Sequence, residues 1–463
     1  MDASYTELAD GLATRRKAAT SGLSDEHRSR FGQFFTHESV ARFMASLIDD
    51  GGTNPVSILD PGAGIGSLST AALTRLVDRG SVTAYEIEQG FHSELRRTLG
   101  AHGSGHRIEA RDFVGHAVEL TATGRSPGFD LAILNPPYKK ISTDSVYRTL
   151  VRKIGVETSN LYACFLACAV SLCRPGAQVI AIVPRSFMNG PYFKPFRYWL
   201  LDRVAVTHIH VFGSRNQAFA DDDVLQENVV LRFLVKQPQG TVDVSESEGT
   251  IFSNITHRIV PFSEVVTPED EEKFIHVPSF GSPDTAGLPG QMLRELGLDV
   301  RTGPVVDFRL KDHLRQDPEP GSVPLLYATH FVDGILQWPR ETRKPNAIMV
   351  NDKTRGWLMK NACYVVLKRF TSKEEKRRVV AYLLPKDSLP GEWIGVENHL
   401  NVIHRAKQGL DPALACGLCR YLNSQAVDDY FRTFSGHTQV NAADLRRLRY
   451  PCLDALRKSG SES

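Results

Sequence analysis

The sequence lacks long hydrophobic runs and is poor in cysteine. The longest apolar stretches, such as residues 161–172, are too short and too interrupted to cross a bilayer. The first 20 residues are polar and carry no hydrophobic core of the signal-peptide type. Seven cysteines among 463 residues do not form a disulfide framework, and the lone Cys416-x-x-Cys419 is more typical of buried small residues than of a zinc or redox site. We therefore expect a cytoplasmic protein with no metal site and no membrane contact.

Charge is nearly balanced over the whole chain but unevenly distributed. The net charge is +2, yet residues 301–463 hold 26 Lys and Arg against 18 Asp and Glu, whereas residues 1–300 hold 29 against 35. This asymmetry indicates that the C-terminal part meets a polyanion, although an unevenly charged, solvated surface explains the numbers nearly as well. A length of 463 residues exceeds what one hydrophobic core usually supports, so two domains are expected.

Short apolar runs alternate with helix-like stretches in the first half of the chain. The predicted strands are residues 57–60, 81–86, 107–111, 131–134, 178–183, 208–211 and 229–235. The helix-like stretches between them include residues 68–79, 90–99 and 160–173. Such alternation predicts βαβ units, a doubly wound α/β domain in residues 1–240, and ligands at the C-terminal ends of its strands.

A second domain is predicted after a stretch rich in Gly, Ser and acidic residues at 237–250. From residue 241 to residue 463 the pattern is of the mixed α+β type. Its predicted elements are β-like pieces at 305–308 and 364–367 and helices at 413–430 and 442–448.

A glycine-rich turn follows the first predicted strand. Gly62, Gly64 and Gly66 remove side chains where the backbone must turn sharply and approach a ligand closely. Asp60, at the tip of the strand, can accept hydrogen bonds from an ammonium group or order water. Glu86 ends the second strand, where an acid can bind both ribose hydroxyls. Dinucleotide enzymes use similar turns, and the alternative interpretation of Glu86 is an ordinary acid at the end of a strand. Together, the glycine turn and Glu86 predict a nucleoside-cofactor site.

Two further segments are candidates for the same site. Asp112 and Phe113 follow the third strand, where an acid can bind an adenine amine and an aromatic ring can cover it, although Asp-Phe pairs are common in loops. Phe34 and Thr36 precede a helical pattern at 37–48, with Thr36 as the predicted N-cap. The aromatic residue before this helix either packs it onto the core or closes one end of the cofactor site.

The strongest signal for catalysis is Asn135-Pro136-Pro137-Tyr138, which follows a predicted strand and stands 75 residues after Asp60. The Asn135 side-chain oxygen and the Pro136 carbonyl can each accept one hydrogen of an exocyclic amine, which directs the nitrogen lone pair outward. Pro137 stiffens the segment, and Tyr138 offers a face on which a flipped base can stack. The alternative is a strand followed by a Pro-Pro turn with a surface tyrosine, which leaves the spacing to the glycine turn unexplained.

At these residues the chain resembles the γ-class of adenine-N6 DNA methyltransferases. The segments that carry the resemblance are Gly32–Thr36, Asp60–Gly66, Glu86, Asp112-Phe113 and Asn135–Tyr138, with weaker likeness at Gly303–Arg309 and Ser435–Asn441. The resemblance implies a Rossmann-like methyltransferase domain and a target-recognition domain, with S-adenosyl-L-methionine as donor and base flipping in double-stranded DNA. We also expect a monomer, and any cognate restriction endonuclease is expected to act separately. By family position, Phe193 is the second stacking aromatic, and Tyr192 beside it is the alternative.

A basic stretch in the second domain suits DNA contacts. Residues 340–378 hold 12 Lys and Arg against 4 Asp and Glu, with Trp357, Tyr364 and Phe370 among them. A solvated basic face is an equal alternative. Three other functions stay open from the residues: methylation of RNA adenine or a protein glutamine, nicotinamide-dependent oxidoreduction, and DNA binding without catalysis.

Overall fold

The chain divides into two compact units, Met1–Gly281 and Ser282–Ser463. The computed structural model describes residues 36–77, 79–103, 105–212, 228–268, 270–278, 290–371, 376–434 and 440–462. In these ranges no helix is long and apolar enough to cross a membrane. The same ranges contain no group of three or more His, Cys, Asp and Glu that could hold a metal ion.

The described residues of the first unit form one nine-stranded sheet with the order β3-β2-β1-β4-β5-β7-β6-β8-β9. Its strands are β1 (Val56–Pro61), β2 (Gly80–Tyr85), β3 (Arg107–Glu109), β4 (Phe129–Leu134), β5 (Cys173–Pro184), β6 (Val204–Phe212), β7 (Asn228–Val235), β8 (Thr241–Glu248) and β9 (Ile251–Pro261). Strands β1 to β5 run parallel, and β7 runs antiparallel to both β5 and β6. Strand order reverses between β1 and β4, so their C-terminal ends frame the crevice where doubly wound sheets bind ligands.

Helices cover both faces of this sheet. They are α1 (Glu38–Ser46), α2 (Ser67–Leu76), α3 (His92–Gly100), α4 (Phe113–Ala122), α5 (Val146–Arg152), α6 (Leu161–Leu172), α7 (Ser186–Asn189), α8 (Lys194–Leu201) and α9 (Phe262–Val265). Successive residues of β1 alternate between two cores, because Ile58 packs with residues of α1, α2 and α3, whereas Leu59 packs with residues of α4 and α6. Burial on both faces explains why the central strands β4, β5 and β7 contain runs of apolar residues.

The predicted doubly wound fold is confirmed, and each of the seven predicted strands overlaps one of β1 to β7. The predicted division at residue 240 is wrong, since β8 pairs parallel with β6 and β9 pairs antiparallel with β8. The polar stretch at 237–250 contains the β7–β8 turn and strand β8, which lies next to the edge strand β9. In β8, buried Val242 and Val244 alternate with more exposed residues. Polar composition therefore marked a turn within the sheet instead of the end of the unit.

The described part of the second unit contains an antiparallel sheet, a mixed sheet and a group of C-terminal helices. The larger sheets have the orders β11-β21-β18-β19 and β12-β16-β13-β20-β17. The strands are β10 (Gln291–Met292), β11 (Asp299–Thr302), β12 (Leu314–Arg315), β13 (Ser322–Leu326), β14 (Phe331–Val332), β15 (Ile335–Leu336), β16 (Ala347–Met349), β17 (Leu358–Lys360), β18 (Tyr364–Lys368), β19 (Ala381–Leu384), β20 (Trp393–Val396), β21 (Leu400–His404) and β22 (Arg449–Tyr450). The helices are α10 (Pro412–Leu422), α11 (Gln425–Phe434), α12 (Ala442–Arg447) and α13 (Leu453–Ser461).

Two element predictions for this unit need correction. The stretch 305–308 is not a strand, because Val305 makes an isolated bridge with Glu397 and residues 307–309 form a 3₁₀ turn. The predicted helix at 413–430 is two helices, which are separated at Asn423 and Ser424. Cys416 and Cys419 are free thiols in α10.

A buried histidine pair links β6 to β8. His208 Nε2 and His210 Nδ1 each lie 2.8 Å from the Ser245 hydroxyl, and the His210 ring is 4.2 Å from the Phe43 ring. Burial disfavours the charged imidazolium, so it lowers the pKa of His208 to about 4 and that of His210 to about 3.

We expect this pair to make the fold sensitive to acid. As the pH falls below about 6.5, the unfolded chain binds protons on these histidines that the folded chain does not, so the free energy of unfolding falls, by on the order of 5 kcal/mol at pH 4.5. Urea unfolding at pH 7.5 and 4.5 measures the effect. An H210N variant should show a smaller loss between the two pH values than the wild-type protein, and an equal loss would contradict the assignment.

Candidate active site

A cavity opens at the C-terminal edge of the first sheet. Including its open mouth it encloses about 1020 Å³, which suits a small-molecule ligand. Its lining residues are Thr36, Asp60, Gly62, Ala63, Gly64, Ser67, Leu68, Tyr85, Glu86, Ile87, Phe91, Arg111, Asp112, Phe113, Asn135, Pro137, Tyr147, Leu161 and Phe165. Residues that the sequence analysis assigned to a cofactor and to catalysis therefore meet in one space.

The glycine turn lies between β1 and α2. Gly62, Gly64 and Gly66 have φ values of 79°, 56° and 89°, a left-handed region that residues with a Cβ rarely adopt. The Tyr85 carbonyl anchors the turn, since it accepts hydrogen bonds from the N–H groups of Gly62 and Ala63 at 2.8 and 3.0 Å. The predicted cofactor residue Gly66, which precedes α2, is not among the residues that line the cavity. The turn thus brings backbone, without side chains, to the cavity wall.

Glu86 is held by the backbone on both sides. Its Oε2 accepts a hydrogen bond from the Gly64 N–H and its Oε1 from the Glu88 N–H, each at 2.8 Å. The side chain is buried, and this burial raises the pKa of Glu86 above its ordinary value despite both hydrogen bonds. Each carboxylate oxygen keeps a second lone pair, so an oriented pair of acceptors faces the cavity.

Asp60 is a second buried acid at this edge. The Ser69 hydroxyl in α2 donates to its Oδ2 at 2.6 Å. Burial, and to a smaller extent the nearby Glu86 carboxylate, raises the pKa of Asp60 to about 7, although hydrogen bonds from Ser69 oppose the shift. A buried carboxylate of this kind gains most from a cationic partner, because the opposite charge offsets the cost of desolvation.

Asp112 is the N-cap of α4. Its Oδ1 accepts a hydrogen bond from the Gly115 N–H at 2.6 Å, and its Oδ2 accepts one from the Tyr147 hydroxyl at 3.0 Å. The ring of Phe113 lies 5.0 Å from that of Tyr85 and 5.2 Å from that of Phe165. These rings give one wall of the cavity an aromatic surface.

Several lining residues were not identified from the sequence. Tyr147 comes from α5, Leu161 and Phe165 come from α6, and Ile87 and Arg111 follow strand ends. The sequence did contain a signal for Ile87, which is a large apolar residue between two acids at a strand end. In the structure its side chain is exposed. The residues of α5 and α6 had none, since the helical pattern of their segments does not tell which turn meets the cavity.

Asn135 follows β4 and is held by two side chains. Its Nδ2 donates a hydrogen bond to Thr36 Oγ1 at 3.1 Å, and its Oδ1 accepts one from the Tyr138 hydroxyl at 2.9 Å. The predicted N-cap role of Thr36 is wrong, because His37 caps α1 by accepting from the Ser39 N–H. Thr36 instead lies at the cavity beside Asn135.

The two predicted stacking aromatics pack against a third ring. Tyr138 is 8% exposed, and its ring lies edge-on to that of Tyr162 at 6.3 Å. Phe193 is buried and stacks on Tyr162 at 5.9 Å, whereas Tyr192 is 80% exposed. Of the described residues that line the cavity, none is Pro136, Tyr138 or Phe193, so stacking on Tyr138 and Phe193 stays a prediction. The predicted cofactor residue Phe34 lies outside the described residues.

Comparisons with known sequences identify close relatives. The family model described as Eco57I restriction-modification methylase matches residues 86–219. The chain is 43% identical to the type II methyltransferase M.BsuBI of Bacillus subtilis over 448 residues, 93% of this chain and 89% of the relative. It is 39% identical to the type II methyltransferase M.PstI of Providencia stuartii over 463 residues, 95% of this chain and 91% of the relative.

Solved structures share the fold. The type IIG restriction endonuclease BpuSI matches with a TM-score of 0.50 and 16% identity, over 94% of this chain and 62% of that chain. A nuclease-deletion mutant of the type ISP restriction-modification enzyme LlaGI, solved with a DNA substrate mimic, matches with a TM-score of 0.52 and 13% identity, over 93% of this chain and 54% of that one. These likenesses concern the fold, whereas the two sequence relatives match nearly end to end. The chain therefore belongs to the type II methyltransferases of restriction-modification systems, which transfer a methyl group from S-adenosylmethionine to DNA.

Proposed function

We propose that the protein methylates the N6 amine of adenine at a short site in duplex DNA, with the target base turned out of the helix. The observation that carries this proposal is the position of Asn135, which lines the same cavity as Asp60 and Glu86. An amide oxygen at this place suits an exocyclic amine, and the rest of the cavity suits a nucleoside cofactor. The specificity for adenine and the base flipping are our inference.

The cavity residues fit S-adenosylmethionine. The fixed carboxylate of Glu86 offers acceptors to two ribose hydroxyls, and Asp60 suits the ammonium group of the methionine part. Phe113 and Phe165 offer apolar ring surface to a purine. When bound, this cofactor supplies an electrophilic methyl group, and the protein residues bind and orient both reactants.

Asn135 and Pro136 then act on the amine. Asn135 Oδ1 and the Pro136 carbonyl each accept one hydrogen of the amine, so its lone pair is directed away from the ring and towards the methyl group. Thr36 and Tyr138 keep the Asn135 amide in one orientation. The methylated amine carries one extra proton, which leaves to solvent after transfer.

The target adenine has to leave the duplex, because the stacked base keeps its amine away from a cavity at the sheet edge. We assign its two ring contacts to Tyr138 and Phe193, worth roughly 1–3 kcal/mol per face by analogy with other stacking sites. Base entry then replaces contacts that both rings make with Tyr162.

We further propose that the second unit, Ser282–Ser463, recognises the DNA target. Its positive charge supports this role, since residues 301–463 hold 26 Lys and Arg against 18 Asp and Glu. We also propose that the protein acts as a cytoplasmic monomer beside a separate endonuclease, because the predicted catalytic and target-recognition parts are both present in one chain.

Transfer of a labelled methyl group tests the substrate class. Wild-type protein is incubated with labelled S-adenosylmethionine and, separately, duplex DNA, RNA and bacterial protein extract. The proposal expects label in DNA alone. Label in RNA or in protein glutamine, with none in DNA, would contradict it, and binding of NADH without S-adenosylmethionine would point to an oxidoreductase.

A T36V substitution should slow methyl transfer without weakening cofactor binding. Valine keeps the shape of threonine but removes the hydroxyl that accepts the hydrogen bond from Asn135, so the amide loses one of its two constraints. We expect kcat to fall roughly 3- to 10-fold, the equivalent of one hydrogen bond, while the cofactor Kd changes less than about twofold. T36S keeps the hydroxyl and should restore most of kcat. A T36S variant as slow as T36V would show that the hydrogen bond is not the cause.

A further inference from the structure

The second unit contains a buried acid that orients a half-exposed histidine. The Glu397 side chain is 0% exposed, whereas that of His399 is 51% exposed. The Glu397 carboxylate accepts a hydrogen bond from the His399 N–H at 2.9 Å and pairs with Nδ1 of the same residue. A carboxylate accepts hydrogen bonds only, so Nδ1 carries the proton and Nε2 lies on the opposite side of the ring. The imidazole is therefore fixed as a directional hydrogen-bonding group.

Described residues of both C-terminal segments that resemble the methyltransferase family are hydrogen-bonded to the turn that carries this histidine or to its neighbour Arg369. On one side the Val305 carbonyl accepts from the Asn398 N–H at 2.9 Å. A Cβ on Gly303 would lie 2.2 Å from the Glu397 carbonyl oxygen, so only glycine allows this approach. On the other side Arg369 N–H donates to the His399 carbonyl at 2.9 Å, and Val440 N–H donates to the Arg369 carbonyl at 2.7 Å. The segment at 303–309 thus contacts the 397–399 turn directly, whereas Val440, a described residue of the other segment, is linked to this turn through Arg369.

The surroundings of His399 carry aromatic and basic side chains. The Phe370 ring lies 4.8 Å from the His399 ring, and the Arg369 guanidinium lies 5.6 Å from the Phe370 ring centre. Asp307 also interacts with this histidine. Burial would raise the pKa of Asp307, but Lys344 and, more weakly, His399 hold that pKa below its ordinary value. Next to Asp307, Phe308 is 63% exposed. The oriented imidazole therefore lies among aromatic rings, the Arg369 guanidinium and the ion pair of Lys344 with Asp307.

We propose that His399 contacts a base edge of the DNA target and contributes to sequence specificity. This inference rests on the proposed role of the second unit in DNA recognition. A phosphate contact needs positive charge but little orientation, whereas a base contact needs a hydrogen-bonding group held in one direction, which Glu397 provides. Arg369 and Lys344 supply positive charge for phosphate contacts, although Lys344 also pairs with Asp307 at 3.1 Å.

The test compares the wild-type protein, H399A and E397Q on the DNA site that the wild-type protein modifies. That site is first mapped from methylated positions in DNA of cells that express the protein. Methylation rates are then measured on the mapped duplex and on duplexes with one base pair changed in turn. His257 in β9 provides a matched control, because it is also half-exposed and pairs with a carboxylate, that of Asp243 at 3.2 Å, in the first unit. Thermal unfolding and cofactor binding of each variant verify folding.

We expect H399A to reduce discrimination at one base pair by about tenfold, with other positions and cofactor binding unchanged. E397Q should reduce discrimination at the same base pair, because a glutamine amide no longer fixes Nδ1 of His399 as the donor. H257A should leave discrimination unchanged. Unchanged discrimination in H399A would overturn the inference. So would an equal loss of activity on every duplex, which is the pattern of a phosphate contact. Failure of the wild-type protein to methylate adenine in DNA would instead contradict the proposed function.

Discussion

Replacing Asn135 with alanine is expected to lower kcat for methyl transfer roughly 100- to 1,000-fold, a loss comparable with removal of one oriented group that stabilises a transition state. Asn135 Oδ1 accepts one amine hydrogen in the proposed reaction. Of the two described residues that line the cavity directly after β4, Asn135 and Pro137, only Asn135 carries a side-chain oxygen. The nitrogen would then keep its lone pair in conjugation with the adenine ring. The Kd for S-adenosylmethionine should change less than about threefold, because the contacts proposed for the cofactor, those of Asp60, Glu86, Phe113 and Phe165, do not involve Asn135.

Two variants show whether the Asn135 oxygen is the cause. N135D keeps an acceptor at the same place and should retain more activity than N135A. N54A changes an exposed asparagine of the same unit and should behave as the wild-type protein. Single-turnover measurement with DNA in excess separates the chemical step from product release. An N135A protein with an unchanged single-turnover rate would show that the catalytic assignment is wrong.

Replacing Glu86 with alanine is expected to raise the Kd for S-adenosylmethionine about 100-fold. The loss has two parts. The variant removes two charge-assisted acceptors for the ribose, and it leaves the Gly64 and Glu88 N–H groups without the carboxylate that accepts from both at 2.8 Å. Equilibrium titration with the cofactor measures the change, and kcat at saturating cofactor should recover most of its wild-type value.

Glu109 offers a matched control for this substitution. It is a buried glutamate at the end of the neighbouring strand β3, it pairs with Arg107 and Arg111, and it is not among the lining residues of the cavity. E109A should therefore change the cofactor Kd less than about threefold. Equal effects of E86A and E109A would indicate a general disturbance of the sheet edge, and an E86A protein with wild-type affinity would contradict the ribose contact.

The parts of the site that could be predicted are those that a strand end determines locally. In a parallel sheet, residues that follow successive strands meet at one edge, so Asp60, Glu86 and Asn135 could be placed together without knowledge of any side-chain contact. The glycine turn was also predictable, because three glycines within five residues indicate backbone conformations that residues with a Cβ rarely adopt. The φ values of all three are positive.

What could not be predicted depends on contacts between distant segments. Threonine is a typical N-cap residue, but the Thr36 hydroxyl accepts a hydrogen bond from Asn135, 99 residues away. His37 is the N-cap of α1 instead. Tyr147 reaches the cavity because α5 packs beside α4, and this arrangement has no local signal. The side-chain position of Tyr138 was equally hidden. A pattern shows that a tyrosine follows two prolines, but not that its hydroxyl bonds to Asn135 and to the Ile182 carbonyl.

The most direct test of the central claim is to identify the methylated nucleoside. Duplex DNA is incubated with S-adenosylmethionine and either wild-type or N135A protein, digested to nucleosides, and analysed by mass spectrometry. Transfer to an adenine held at Asn135 predicts N6-methyldeoxyadenosine from the wild-type protein and a strongly reduced amount from N135A. Methylated cytosine without methylated adenine, or equal N6-methyldeoxyadenosine from both proteins, would contradict it.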